Sequence, residues 1–240
     1  STQAKTLFPY TTLFRSPPPM LTIPVPAALR IAQRLCAAAN VALVMPTDLR
    51  RKAVIELVIL ARDAAGDVDA AAVRRGSTVT LPGAPGPALA LLALIPVVGP
   101  ALVSLASDLG RTTIYLAPDD LLDGVRLLRK LFHELGHVGS IAVGGLGWCL
   151  AYLIAAEVRA GGEAPCFGSG MAVEVACGRP LAEVADEAKR SLEGYQLDAP
   201  AKALAHGIID SAAATIAATG DFGGVVAELR AALAVEGISL

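Results

Sequence analysis

The chain is 240 residues long, and its 20 Lys and Arg residues nearly balance its 22 Asp and Glu residues, which gives a net charge of −2. This balance excludes the strongly basic surface that nucleic-acid binding requires, and the length suffices for a domain with a substantial core. Hydrophobic residues make up 54% of the chain and the mean hydropathy is +0.58, so membrane association has to be considered.

The N-terminal segment is expected to lie outside the fold. The stretch TLFPYTTLFRS, residues 6–16, resembles the conceptual translation of a sequencing-library adapter. We therefore expect residues 1–20 to be an artefactual or disordered N-terminus. Residues 21–240 are expected to form a single domain with a helical C-terminal part.

Two helices and a strand are predicted in the first third of the chain. The sequence predicts helices over residues 24–40 and 48–66, and the second has polar capping residues before it and Gly66 at its end. The alternation of residues 77–81 predicts a short strand.

Residues 86–107 form an uncharged stretch that is long enough to cross a bilayer. Pro96, Gly99 and Pro100 interrupt this stretch near its middle. Two short buried elements joined by a turn fit it at least as well as a membrane span.

A strand and a capped helix follow. β-branched and aromatic residues predict a strand over residues 111–118. Asp119 and Asp120 are expected to cap a helix over residues 120–138, whose apolar residues recur every three or four positions. Glycines then predict a break after this helix, with a further helix resuming at residue 148; they are Gly139, Gly144, Gly145 and Gly147.

The remaining chain is predicted to be helical. A second break or a kink is expected at Gly161, Gly162 and Pro165, because glycine and proline disfavour a continuous helix. The predicted helices cover residues 148–160, 171–177, 181–192, 199–219 and 225–235. The fold class is therefore expected to be α+β and mostly helical.

Two histidines lie four residues apart in KLFHELGHVGS, residues 130–140. Residues at this spacing share a helix face, so His133 and His137 can offer imidazole nitrogens to one metal ion. Glu134 leaves the helix about 100 degrees away from His133, where it can act as the general base on a water that the metal acidifies. The alternative is a surface helix with solvated histidines, on which Glu134 pairs with a neighbouring basic residue.

The motif HELGH resembles that of the zincin metallopeptidases, in which an edge strand beside the HExxH helix binds the substrate backbone. This resemblance implies a zincin-like fold with a small sheet packed beside the helix. TTIYLAP, residues 112–118, is positioned to be the edge strand. The resemblance also implies Zn²⁺ as the cofactor, His133 and His137 as ligands and Glu134 as the catalytic residue.

A third protein ligand is required, because a catalytic zinc has three protein ligands and one open position. The metzincin branch is excluded, since Ser140 and Val143 occupy the positions of its Gly and third His. His206 is the only other histidine, but it lies far downstream. The gluzincin pattern uses a glutamate on a following helix, which Glu157 and Glu163 both satisfy.

A looser resemblance favours Glu163. The segment AYLIAAEVRAGGEAPCF, residues 151–167, looks like part of uncharacterised phage-type HExxH proteins, which carry an Arg-Ala pair followed by a Glu-Ala pair and an aromatic residue. In that pattern the later glutamate is the ligand. Glu163 is therefore predicted as the third zinc ligand, with Glu157 as the alternative. The Gly161–Gly162 pair and Pro165 depart from the pattern, because that family continues the helix.

The resemblance implies a zinc metallopeptidase that hydrolyses peptide or protein substrates. Transition-state stabilisation usually needs a donor beyond the metal, for which Tyr115, Tyr152 and Tyr195 are all candidates. The four cysteines form no CxxC pair, which disfavours a cysteine zinc site. No secretory signal is visible, so scattered buried thiols in a reducing compartment, the cytoplasm, are expected. One alternative is an intramembrane site-2-type protease, because residues 138–156 are uncharged, but charges on the motif helix disfavour this alternative and membrane association generally. Another alternative is a non-catalytic, phage-related structural or regulatory module.

Overall fold

The computed structural model describes residues 20–63, 69–81 and 111–240. Within these ranges the chain forms eight α-helices and one three-stranded sheet, which confirms the mostly helical α+β class. The helices are α1 (Val25–Ala38), α2 (Leu49–Asp63), α3 (Ala70–Gly76), α4 (Gly124–Ile154), α5 (Ala156–Ala176), α6 (Leu181–Leu192), α7 (Ala199–Thr219) and α8 (Val225–Val235). The strands are β1 (Ala42–Val44), β2 (Val79–Leu81) and β3 (Thr113–Tyr115).

Two predicted segments lie outside the described residues. They are the N-terminal segment 1–20, apart from Met20, and the uncharged stretch 86–107. Among the helices in the described ranges, none combines the length and the apolar character that crossing a bilayer needs.

The sheet has the strand order β1-β3-β2, so β3 is its central strand. β1 pairs with β3 in parallel, with Leu43 opposite Ile114, and β2 pairs with β3 antiparallel, with Thr80 opposite Ile114. The prediction of a strand within residues 111–118 is confirmed, but its expected role as an edge strand is wrong. Its backbone groups pair on both sides, because β1, which the sequence analysis missed, occupies one flank.

The helix that carries both histidines begins later and ends later than expected. Asp119 and Asp120 lie in a 3₁₀ turn, Pro118–Leu122, and the cap is Asp123, which accepts a hydrogen bond from the Arg126 backbone N–H at 2.8 Å. α4 continues past residue 138 to Ile154 with one interruption, so the predicted break is confined to a single one of its four glycines. That interruption is at Gly145, whose φ of 57° is a left-handed value that glycine adopts without strain.

At Gly161, Gly162 and Pro165 the prediction of a break is wrong, because α5 runs through all three residues. A proline inside a helix costs about 3 kcal/mol. α5 packs against α4, α6, α7 and α8, and this burial outweighs the local cost. The chain turns instead at Ala155, which has an extended conformation. The last three helices, α6 to α8, have the predicted bounds.

The main core lies between the helices and one face of the sheet. α5 is at its centre, where it is covered by four other helices. Fully buried side chains from α1, β3, α4, α5, α7 and α8 meet there, among them Ile31, Ile114, Leu128, Met171, Ile209 and Leu229.

Glycines let α4 and α5 approach closely. A Cβ atom added to Gly136 of α4 would lie 2.7 Å from Sγ of Cys166 on α5. A Cβ atom added to Gly170 of α5 would lie 3.2 Å from Cγ of Arg129 on α4. The absence of side chains at these two positions therefore sets the distance between the helices beside both histidines.

We expect Gly136→Ala to destabilise the protein despite the better helix propensity of alanine. The added methyl group overlaps the Cys166 sulfur, and overpacking of this kind costs about 1–3 kcal/mol. The matched control is Gly139→Ala in the same helix, where an added Cβ meets nothing within 4 Å. The control should raise the free energy of unfolding by about 0.5–1 kcal/mol. Denaturant unfolding of both variants tests this, and equal stabilisation by the two changes would contradict the close crossing.

Candidate metal centre

His133 and His137 lie on the face of α4 that is directed at α5. Their side chains are buried, with 4% and 8% of the residue surface exposed, and their Nε2 atoms are 3.2 Å apart. The alternative of a surface helix with solvated histidines is therefore wrong. The spacing of four residues brings the two rings together on one side of the helix, as the periodicity predicts.

Glu163 reaches the same point from α5. Its Oε2 lies 3.2 Å from Nε2 of His133, and its Oε1 lies 3.4 Å from Nε2 of His137. The residue is only 2% exposed, and Oε2 accepts no hydrogen bond of ordinary geometry from the described residues. A buried carboxylate oxygen without a donor is costly. The missing donor at Oε2 is explained if a cation lies between the three side chains and takes the place of the donor.

This buried group could hold a metal ion. One ligand atom from each of His133, His137 and Glu163 lies within 4.8 Å of the other two. Among the described residues, no further group of histidine, cysteine or acidic side chains meets the same distance condition. The chemistry of the donors, two imidazoles and a carboxylate, suits a transition metal.

The electrostatics of the group also favour a cation. Burial disfavours a charge on His137, but Cys166 and Glu163 more than compensate and hold the pKa of His137 well above its ordinary value. Burial likewise disfavours ionisation of Glu163, yet hydrogen bonding to the two histidines holds the pKa of its carboxyl well below the usual range. Burial and the neighbouring Lys130 lower the pKa of His133, so the group combines an ionised carboxylate with an imidazole that is kept neutral, as a metal ligand must be.

The other two candidate ligands lie elsewhere. Glu157 is in the first turn of α5, where its side chain is exposed to solvent. It precedes Glu163 by six residues on one continuous helix, which rotates it by about 240 degrees at about 100 degrees per residue. His206 is on α7. Neither residue belongs to the group that could hold a metal.

Glu134 lies beside the metal-binding group and is only 3% exposed. Its Oε2 accepts a hydrogen bond from Oγ1 of Thr80 at 2.7 Å, and its Oε1 lies 3.2 Å from Nζ of Lys130. Burial opposes ionisation of this carboxyl, but Lys130 and the two histidines lower its pKa below the usual value. Glu134 is therefore held as a carboxylate with both oxygens oriented.

Cys166 is a residue of the site that the sequence analysis did not single out. Its Sγ lies 3.5 Å from Nδ1 of His137, the ring nitrogen directed away from Glu163. Such a contact fixes the ring orientation and leaves Nε2 available to a metal. The signal in the sequence was the spacing to Glu163, because residues three apart share a helix face.

Aromatic side chains enclose the group. Phe167 packs edge-on against the His133 ring, with centroids 4.7 Å apart. Tyr152 donates a hydrogen bond to Oε1 of Glu163. Burial raises the pKa of Tyr152, which therefore remains a protonated donor. Tyr195 contacts Phe167, whereas Tyr115 is buried in a different cluster in the sheet, so only Tyr152 and Tyr195 lie near the site.

Comparison of the chain with protein-family models, with curated proteins and with solved structures gave no match.

We expect Glu163→Gln to lower the affinity for zinc by more than about 100-fold, because a ligand contributes more than an outer partner of a ligand. Glu157→Gln, the same change on the exposed face of α5, should leave the affinity unchanged. Chelator competition and the metal content of the purified variants measure both effects. Full zinc retention in Glu163→Gln together with loss in Glu157→Gln would reverse the assignment.

A second expectation concerns Cys166. Cys166→Ala removes the contact to Nδ1 of His137 and should weaken zinc binding by about 10–100-fold. Cys177→Ala is the matched control, because Cys177 is also a buried free cysteine but lies at the C-terminal cap of α5, eleven residues from Cys166. Equal affinities of the two variants in chelator competition would show that the sulfur does not orient the ring.

Proposed function

We propose that the protein is a zinc-dependent metallopeptidase in which His133, His137 and Glu163 hold the metal and Glu134 is the general base. The observation that carries this proposal is the pairing of a buried, ionised Glu134 with a convergent His-His-Glu group. A buried carboxylate in this position has no evident role in packing. It is the group that proton transfer at a metal-activated water requires.

The separations between the ligand atoms support zinc as the metal. Tetrahedral ligands with bonds of about 2.05 Å lie about 3.3 Å apart, whereas adjacent octahedral ligands at that bond length lie about 2.9 Å apart. The Nε2 atoms of His133 and His137 are 3.2 Å apart. Oε2 of Glu163 lies 3.2 Å from Nε2 of His133, and Oε1 of Glu163 lies 3.4 Å from Nε2 of His137. These values are closest to the tetrahedral case. Two histidines and a glutamate also form a donor set of catalytic zinc sites.

The chemistry divides between the metal and the chain. Zinc, when bound, supplies a Lewis acid that polarises a carbonyl and acidifies a water molecule. Glu134 takes a proton from the attacking water and delivers it to the leaving amine. Lys130 keeps Glu134 ionised. Tyr152, a protonated donor that contacts Oε1 of Glu163, is a candidate to stabilise the developing oxyanion.

Strand β2 is the part of the sheet best suited to bind a peptide substrate. In the described residues β2 pairs only with β3, and its Thr80 contacts Glu134. A peptide added in extended form along this strand would run past the general base. A small pocket between α4 and α5, lined by Lys130, His133, Phe167 and Met171 among others, adjoins the site and could receive a substrate side chain.

The decisive test is Glu134→Gln beside the parent protein on a broad peptide library with zinc present. The variant should retain zinc and lose at least about 100-fold in kcat, the usual contribution of a general base. Glu157→Gln is the matched control and should cleave as the parent does. A zinc-loaded parent that cleaves no peptide, or a Glu134→Gln variant that cleaves equally well, would refute the proposal. The first of these outcomes would favour the non-catalytic module.

A further inference from the structure

Two threonines connect strand β2 to the helix of the metal centre. Oγ1 of Thr78 donates a hydrogen bond to Oδ2 of Asp120, in the turn before α4, and Oγ1 of Thr80 donates to Oε2 of Glu134 within α4. Residues two apart in an extended chain project to the same side. One side of this short segment thus contacts two carboxylates fourteen residues apart in the chain.

The residues directly before β2 are held in place by buried polar contacts. Asp120 is only 2% exposed, and its Oδ2 also accepts the backbone N–H of Ala117 at 3.0 Å. The guanidinium of Arg51, which is 3% exposed, donates to the backbone carbonyl of Ser77 at 3.1 Å. These contacts fix the positions of Ser77 and Thr78, which lie just before Thr80 in the chain. Its hydroxyl is therefore held at one place relative to α4.

Lys130 alone could not orient Glu134 with respect to a substrate. It lies one turn earlier on the same helix, so its contact with Oε1 ties the carboxylate only to α4. Thr80 is the residue that ties the carboxylate to the sheet. In addition, Thr80 is in the middle of the strand along which an extended peptide would lie.

We propose that Thr80 is a positioning residue, whose hydroxyl fixes the carboxylate of Glu134 relative to both strand β2 and the His133–His137 pair. This inference rests on the proposed function. It assigns to β2 a second role besides binding the peptide backbone. The strand that binds the substrate also orients the base. The attacking water is therefore held in a fixed orientation relative to the substrate carbonyl.

The test compares Thr80→Val, which keeps the shape of the side chain but removes the hydroxyl, with Thr80→Ser, which keeps the hydroxyl. In the zinc-loaded protein, Thr80→Val should lower kcat by about 10–100-fold, because the base remains but is misoriented. KM should change by less than about 3-fold, because no substrate contact is lost. Thr80→Ser should retain kcat within about 3-fold of the parent value.

Thr113→Val is the matched control. Its hydroxyl is bonded to a backbone carbonyl of Arg111 in the same sheet and does not contact Glu134. This variant should keep the parent kcat, and all variants should keep the parent zinc content. A Thr80→Val enzyme with the parent kcat, or with a loss that appears in KM or zinc content, overturns the role of Thr80, as does a Thr80→Ser enzyme as slow as Thr80→Val. If the zinc-loaded parent itself cleaves no peptide, the proposed function fails and the role of Thr80 fails with it.

Discussion

The close crossing of α4 and α5 is the constraint on which the metal-binding group depends. Two of its members are on one helix and the third is on the other, so the ligand atoms converge only if the helix axes approach closely. Gly136 permits this approach directly beside His137, because a side chain there would overlap the Cys166 sulfur. That sulfur in turn contacts the second ring nitrogen of His137. The same sulfur atom thus limits the distance between the helices and supports the ring of His137.

The crossing also concentrates ionisable groups in an otherwise apolar interior. His133, Glu134, His137 and Glu163 are all buried within a small volume. Burial of charge is tolerated only where partners compensate for lost hydration. Lys130 and Thr80 contact Glu134, but Oε2 of Glu163 accepts no hydrogen bond of ordinary geometry from the described residues. A cluster of this kind lowers the stability of the fold, and a function at the site explains why that cost is tolerated. Such clusters therefore mark functional sites.

The small sheet adds little to the hydrophobic core, but it positions groups beside Glu134. Each of its strands has three residues, and the main core is built mostly from helices. Its flank nearest the metal centre carries Thr80, while the central strand is paired on both sides. The sheet therefore brings a backbone edge and a hydroxyl group to Glu134, the buried carboxylate beside the group that could hold a metal ion.

The sequence by itself determined the features that depend on neighbours within a few turns. The HELGH spacing placed His133 and His137 on one face, and local periodicity gave the bounds of the last three helices, because both follow from the repeat of a single helix. The tertiary structure decided the features that depend on contacts between segments far apart in the chain. It carried α5 through Pro165, which orients Glu163 inward and Glu157 outward, and it made β3 central by pairing it with the unforeseen β1. Packing between elements outweighs local preference at such places, and no pattern of adjacent residues records it.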